Sequence, residues 1–247
     1  MTENLKEPQA ERDAGKFFLV LGVTSPILLL LTLAVVTIPL SLLPLPLSIM
    51  AIIAALVAEA LFAWVLLFAS KATNWRAWLG LKKASVKAIL KGAGYGALLY
   101  LALQVTSVTL GQTTGNGIDS SDTSNMVFAT TGLESILLLG FFVPFAAPFF
   151  EEVVFRGVLR NVFERSAKNV KVARVAGVIA PAILFSMLHF QGFQNLSSIA
   201  VLVITFILGV VSGRLAQKSQ SVWPSIVLHV VYNALTVGVA LLLMSLV

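Results

Sequence analysis

Apolar runs long enough to cross a membrane recur along the whole sequence. The first run, 17–43, has 27 residues, and a helix of about 20 apolar residues already spans the hydrocarbon layer of a bilayer. The later runs occupy 47–70, 92–110, 133–165, 173–190, 196–213 and 222–247. This pattern predicts an all-α fold, namely a polytopic membrane helix bundle of about seven transmembrane helices.

The composition excludes other classes of protein. Of the 247 residues, 58% are apolar and 11% are charged, whereas a soluble domain carries about 25% charged residues. Disordered chains are poor in apolar residues, and a disulfide scaffold needs cysteines, of which the sequence has none. The net charge of +6 is interpreted as a topology signal, so we expect no nucleic-acid partner.

The distribution of basic residues predicts the orientation in the membrane. All 17 lysines and arginines fall within 1–16, 71–91, 156–174 and 214–218. Seven crossings place these four segments on one side, which the positive-inside rule makes cytoplasmic. The opposite loop, 111–131, carries acidic residues and no basic ones. We therefore expect a cytoplasmic amino terminus and an external carboxyl terminus.

Three regions are expected along the chain. Residues 1–16 mix acidic and basic side chains, and the apolar run behind them is too long for a signal-peptide core, so they are predicted to be a cytoplasmic tail. Residues 17–131 are predicted to form amino-terminal membrane helices without a recognisable motif. Residues 132–247 carry the polar motifs. Two glycine pairs, Gly92/Gly96 and Gly209/Gly213, suit close packing of helices.

Polar clusters interrupt the apolar runs of the last region. An ionisable side chain in the bilayer interior costs about 2.5–3.5 kcal/mol on insertion scales, so such groups are candidates for function. The clusters are Glu151-Glu152-Val-Val-Phe-Arg156, Phe185-Ser-Met-Leu-His189 and His229-Val-Val-Tyr-Asn233. At a rise of about 1.5 Å per residue, their charged groups lie about 16–22 Å from the nearest predicted cytoplasmic charge. Glu59, alone in the second run, has no motif around it.

Helical spacing separates the two adjacent glutamates. Residues four apart share a helix face, so Glu152 and Arg156 are expected to pair. Glu151 points about 100° away and is expected to remain free for chemistry. His229 and Asn233 are also four apart and are expected to face one cavity.

Two kinds of chemistry fit these residues. In the first, Glu151 accepts a proton from water and passes it to a leaving amine, and His189 holds the same water. His229 and Asn233 then supply N–H donors to the oxyanion of a scissile carbonyl. In the second, Glu151, His189 and His229 are zinc ligands, although neither histidine has a neighbouring glutamate as in HExxH. Spacing alone does not decide between them.

In order and type, the three motifs resemble those of the CAAX protease and bacteriocin-processing (CPBP) family, also called the type II CAAX prenyl endopeptidase or Abi family. The resemblance covers about 130–240 of the sequence. It implies an all-helical membrane protease open to the cytoplasm. Members are often labelled metalloproteases, but similarity to the prenyl endopeptidases implies a metal-free site with no cofactor. The implied catalytic residues are Glu151, His189, His229 and Asn233, supported by Glu152 and Arg156.

The resemblance also implies the setting and the substrate class. The expected partners are the lipid bilayer and a membrane-embedded or membrane-anchored protein or peptide. Eukaryotic relatives cleave prenylated tails, and bacterial relatives are linked to bacteriocin immunity, peptide maturation or control of surface proteins. The short apolar loops indicate a multi-pass plasma-membrane protein of a prokaryote.

Two alternatives remain open at this point. Midplane carboxylates and a helix interrupted by Pro144 and Pro148 also fit an ion-coupled transporter, although no paired half-repeats are visible. A non-catalytic membrane scaffold is the other alternative.

Overall fold

The structure, a computed structural model, describes residues 9–43, 47–71, 74–114, 137–167, 169–189 and 196–244. These residues form helices and short connections, and no β-strand occurs among them. The prediction of an all-α fold is confirmed. We number the helices α1 (Gln9–Leu40), α2 (Leu47–Ala69), α3 (Trp75–Leu79), α4 (Val86–Thr114), α5 (Leu138–Ser166), α6 (Val170–Leu188), α7 (Leu196–Ser219) and α8 (Trp223–Met244).

Among the described residues, six helices have the length and apolar character needed to cross a bilayer. These are α1 and α4 to α8, and α2 contributes a shorter apolar stretch, Ile53–Ala69. The chain is therefore a multi-pass membrane protein built as a polytopic helical bundle.

Several helix ends differ from the sequence-based prediction. Helix α1 begins at Gln9, inside the predicted tail 1–16, and the short helix α3 lies within the predicted basic loop 71–91. Hydropathy marks the part of a helix that lies in lipid, whereas a helix can continue into water with polar residues. Residues 191–195, which separate two of the apolar runs, and most of the loop 111–131 lie outside the described residues.

Helix α5 is irregular around Pro144 and Pro148, the two prolines at which the sequence indicates an interrupted helix. Its π-helical segments, Leu138–Ala146 and Val153–Leu159, lie on either side of the α-helical segment Ala147–Glu152. Pro144 and Pro148 have no backbone N–H and so cannot complete regular hydrogen bonds there. Single π-helical turns are rare and are frequent at functional sites. Glu151 and Glu152 therefore lie at the end of the α-helical segment, between the two π-helical segments.

Helix α5 also lies at the centre of the bundle. It packs against α1, α2, α3, α6, α7 and α8. Its residues Val154, Phe155, Val158, Leu159 and Val162 are buried in the largest apolar core cluster. The predicted polar motif of α5 is therefore surrounded by protein rather than by lipid.

Helices α4 and α8 approach each other through glycine. A side chain at Gly92 would collide with the backbone of Pro224, and one at Gly96 with the backbone of Leu228. Gly209 and Gly213 similarly face Ala182 and Val178. Both predicted glycine pairs therefore lie at close helix contacts, as expected for small residues in membrane interfaces.

We predict that Gly96→Leu lowers the free energy of unfolding by about 1–3 kcal/mol, because α4 and α8 must separate to admit the side chain. Thermal unfolding in detergent measures the change. Gly94→Leu is the matched control, because a Cβ at Gly94 has no neighbouring heavy atom within 4 Å. Equal stability of the two variants would contradict the role of the glycine contact.

Candidate active site

A buried cluster of three charged or ionisable side chains joins α5 to α8. Arg156 Nη1 lies 3.2 Å from Glu152 Oε1, and His229 Nδ1 donates to the same oxygen at 3.1 Å. Glu152 is 0% exposed and Arg156 is 1% exposed. The ion pair that the spacing predicted is therefore present, and Glu152 also orients the imidazole of His229.

Glu151 lies at the accessible side of this cluster. Its Oε2 is 3.7 Å from His229 Nδ1, and the residue is 18% exposed. The sequence analysis assigned the two glutamates to different faces of α5. The structure brings both carboxylates to one imidazole, because His229 packs between the directions in which they project. Glu151 is the partly exposed carboxylate of this pair, whereas Glu152 is fully buried.

The ring of Phe185 separates the two histidines. Its centroid is 4.5 Å from the ring of His189 and 5.6 Å from the ring of His229. The Arg156 guanidinium lies over the same ring at 4.4 Å, a cation–π contact. Phe185 therefore links His189 to the cluster on α5 and α8.

His189 is the residue at which α6 ends. Its Nδ1–H donates to the carbonyl of Phe185 at 2.9 Å. This hydrogen bond fixes the tautomer of a neutral ring and leaves the lone pair on Nε2. A water molecule that donates to Nε2 would be held at a defined position.

Asn233 attaches α8 to the irregular part of α5. Ala147 N–H donates to Phe142 O, one residue further back than in an α-helix, and Pro148 has no N–H to offer. The carbonyl of Val143 is thereby left without its helical partner. Asn233 Nδ2 donates to that carbonyl at 2.9 Å. One N–H of the amide is therefore used structurally, and the other is left for a ligand. The sequence motif does not reveal this role, since the partner is a backbone atom.

The alternative zinc set does not form in this structure. Among the described residues, no group of three or more His, Asp or Glu side chains is arranged to hold a metal ion. Glu151 Oε2 and His229 Nδ1 lie 3.7 Å apart, but His189 does not join them in such a group. The residues as placed do not fit a zinc site made of Glu151, His189 and His229.

The carboxyl-terminal half of the chain matches a known family. Residues 133–235 match the family model of the type II CAAX prenyl endopeptidase Rce1-like proteins. Over these residues the chain is similar to this family. The matched segment contains all three polar motifs, and the similarity supports a CAAX-type intramembrane endopeptidase, that is, a peptide hydrolase. Neither the curated proteins nor the solved structures contain a significant match to the chain.

We predict that Glu152→Gln lowers the free energy of unfolding by about 3–5 kcal/mol, because it leaves the buried guanidinium of Arg156 without its ion-pair partner. Glutamine keeps the size of the side chain, so the loss reports charge rather than packing. Thermal unfolding in detergent is the measurement.

Glu152→Gln combined with Arg156→Met is the control, since it removes both charges at similar volume. This double variant should recover most of the lost stability. If it is as unstable as Glu152→Gln alone, the ion pair is not the source of the effect.

Proposed function

We propose that the protein hydrolyses a peptide bond of a membrane-associated substrate with water activated by Glu151, and without a bound cofactor. The observation that carries this proposal is the contrast between the two glutamates. Glu152 is fully buried and paired, whereas Glu151 is partly exposed beside the same imidazole. Only Glu151 can meet water and substrate.

The first step is addition of water to the carbonyl carbon. The water oxygen forms a bond to that carbon as Glu151 takes one proton from the water. The Nδ1–H of His189 donates to the carbonyl of Phe185. Its Nε2 accepts a hydrogen bond from the other O–H of the water, and that hydrogen stays on the water oxygen. This arrangement orients the lone pair of the attacking oxygen toward the carbonyl.

The negative charge that develops on the substrate oxygen needs N–H donors. Because Nδ1 of His229 is bound to Glu152, the ring nitrogen that remains for the substrate oxygen is Nε2, which donates when it carries a proton. The N–H of Asn233 that does not contact Val143 is the second donor. Glu152 and Arg156 act as support by holding the ring of His229.

The finer assignments of substrate and location follow from the resemblance and from the charge pattern. We propose a prenyl-type or peptide-type substrate anchored in the membrane, with a role in bacteriocin immunity or peptide maturation. We also propose a prokaryotic plasma membrane with the amino terminus in the cytoplasm. The family match favours hydrolysis over the ion-coupled transporter and the scaffold that the sequence left open.

We expect Glu151→Gln to lower the rate of cleavage by about 10²-fold or more, because the amide cannot accept the proton of water. His189→Ala and His229→Ala should also lose activity. The measurement uses a quenched fluorescent peptide with a prenylated CAAX tail in detergent micelles. A proteomic comparison of cells that express the wild type or Glu151→Gln then identifies the natural substrate.

Glu164→Gln is the matched control on the same helix. Glu164 lies near the end of α5 and contacts Arg160 and Gln217, away from both histidines of the site. This variant should cleave at the wild-type rate. Wild-type cleavage by Glu151→Gln would show that the base is misassigned.

A further inference from the structure

Glu59 lies on the inner face of α2. It is the only ionisable residue of that helix. The residues three, four and seven positions further on, Phe62, Ala63 and Leu66, are all buried. Trp64 and Phe68, on the opposite face, are 60% and 73% exposed. Helical periodicity therefore directs the carboxyl group of Glu59 into the bundle rather than into lipid.

Glu59 and Glu151 lie at the same level of the bundle. The buried face of α2 belongs to the core cluster that includes Val154 and Phe155 of α5. The helix that follows α2 is α3, which contains Trp78. The side-chain amide of Asn161, further along α5 than Glu151, donates to the carbonyl of Trp78 at 3.1 Å.

The two helices thus run in the same direction. Glu59 precedes the buried pair Phe62 and Ala63 by one turn, just as Glu151 precedes Val154 and Phe155. In agreement with this geometry, α2 packs against the segment Ala147–Glu152 of α5, which carries Glu151.

The surrounding charges differ between these two carboxyl groups. Glu151 lies 3.7 Å from His229 Nδ1, and its charge also interacts with that of Arg156. The ion pairs of the described residues do not include Glu59. Burial in an apolar site disfavours the charge of a carboxyl group, and a second carboxylate nearby disfavours it further. The proton therefore stays on the carboxyl group that has no cation among the described residues, which is Glu59.

We propose that Glu59 is the acid partner of Glu151 and supplies the proton that the leaving amine takes. Paired carboxyl groups whose surroundings differ in this way commonly divide the roles of acid and base. This inference rests on the proposed function, and it assigns a catalytic residue to α2, outside the segment 133–235 that matches the family.

The proton transfers balance over one cycle. Glu151 takes a proton from water as the C–O bond forms and the electron pair of the C=O bond moves to the oxygen. When the tetrahedral intermediate collapses, that pair reforms the C=O bond and the C–N bond breaks. The carboxylic acid of Glu59 then protonates the departing nitrogen. The proton on Glu151 passes to Glu59, which restores the starting state.

Infrared spectroscopy of the purified protein in detergent tests where the proton lies, without any substrate. We expect the wild type to show the C=O stretching band of a protonated carboxyl group. Glu59→Gln should lose this band. Glu151→Gln should keep it, and so should the control Glu164→Gln, because Glu164 lies next to Arg160 near the end of α5 and outside this carboxyl pair.

Cleavage of the prenylated peptide tests the acid role. Glu59→Gln should lower kcat by about 10²-fold and leave KM unchanged, because glutamine keeps the shape of the side chain but has no proton to donate. Glu59→Asp, which keeps an acid on a shorter side chain, should keep the infrared band and part of the activity.

Wild-type kcat in Glu59→Gln, or an unchanged infrared band in that variant, would overturn the assignment of Glu59. Wild-type cleavage by Glu151→Gln would instead overturn the proposed function. In that case the band still reports whether Glu59 is protonated, so the two failures are distinguished. If Glu59→Gln does not fold, the kcat of Glu59→Asp decides, since a rate equal to the wild type would contradict a distance-dependent proton transfer.

Discussion

The carboxylate of Glu152 is the interaction on which the rest of the site depends. One of its oxygens lies within 3.2 Å of the Arg156 guanidinium and accepts from His229 at 3.1 Å, in a region from which water is excluded. Removing two charges from water is costly, and only close contact between them offsets that cost. The result is a fixed position for the imidazole of His229, and that position in turn defines where Glu151 meets water. The groups proposed for catalysis are thus arranged by a residue that is itself fully buried.

The aromatic ring of Phe185 complements this charged centre. It contacts His189 and His229 on two sides and carries the Arg156 guanidinium on its face. A rigid ring at this position holds three helices at a constant separation, which hydrogen bonds between flexible side chains alone would not do. The site therefore combines one charged contact and one apolar spacer, both buried. Such preorganisation is what allows dipoles and charges to stabilise a transition state without rearrangement.

Much of the fold was predictable from sequence because the bilayer imposes a simple rule on length and polarity. The run 47–70 and the helix Leu47–Ala69 differ by one residue. The ends of α1 and α7 were less predictable, since helices that leave the lipid no longer follow hydropathy.

In the site, the i, i+4 spacing was sufficient for the pair Glu152 and Arg156, which belong to one helix. It was not sufficient for the approach of both glutamates to His229, because that contact depends on how α5 and α8 pack. The hydrogen bond of Asn233 could not be predicted from sequence either, because its acceptor is a main-chain carbonyl that the irregular winding of α5 leaves without a helical donor.

The proline at position 148 has a consequence beyond its own helix. Because Pro148 has no N–H, the carbonyl of Val143 has no backbone donor within α5. It accepts a hydrogen bond from Asn233 of α8 instead. One of the hydrogen bonds between α5 and α8 thus depends on a hydrogen bond that α5 itself lacks. A residue with a backbone N–H at position 148 could donate to the carbonyl of Val143 from within α5. The amide of Asn233 would then lose its hydrogen-bond acceptor, although neither α8 nor any charged group had changed.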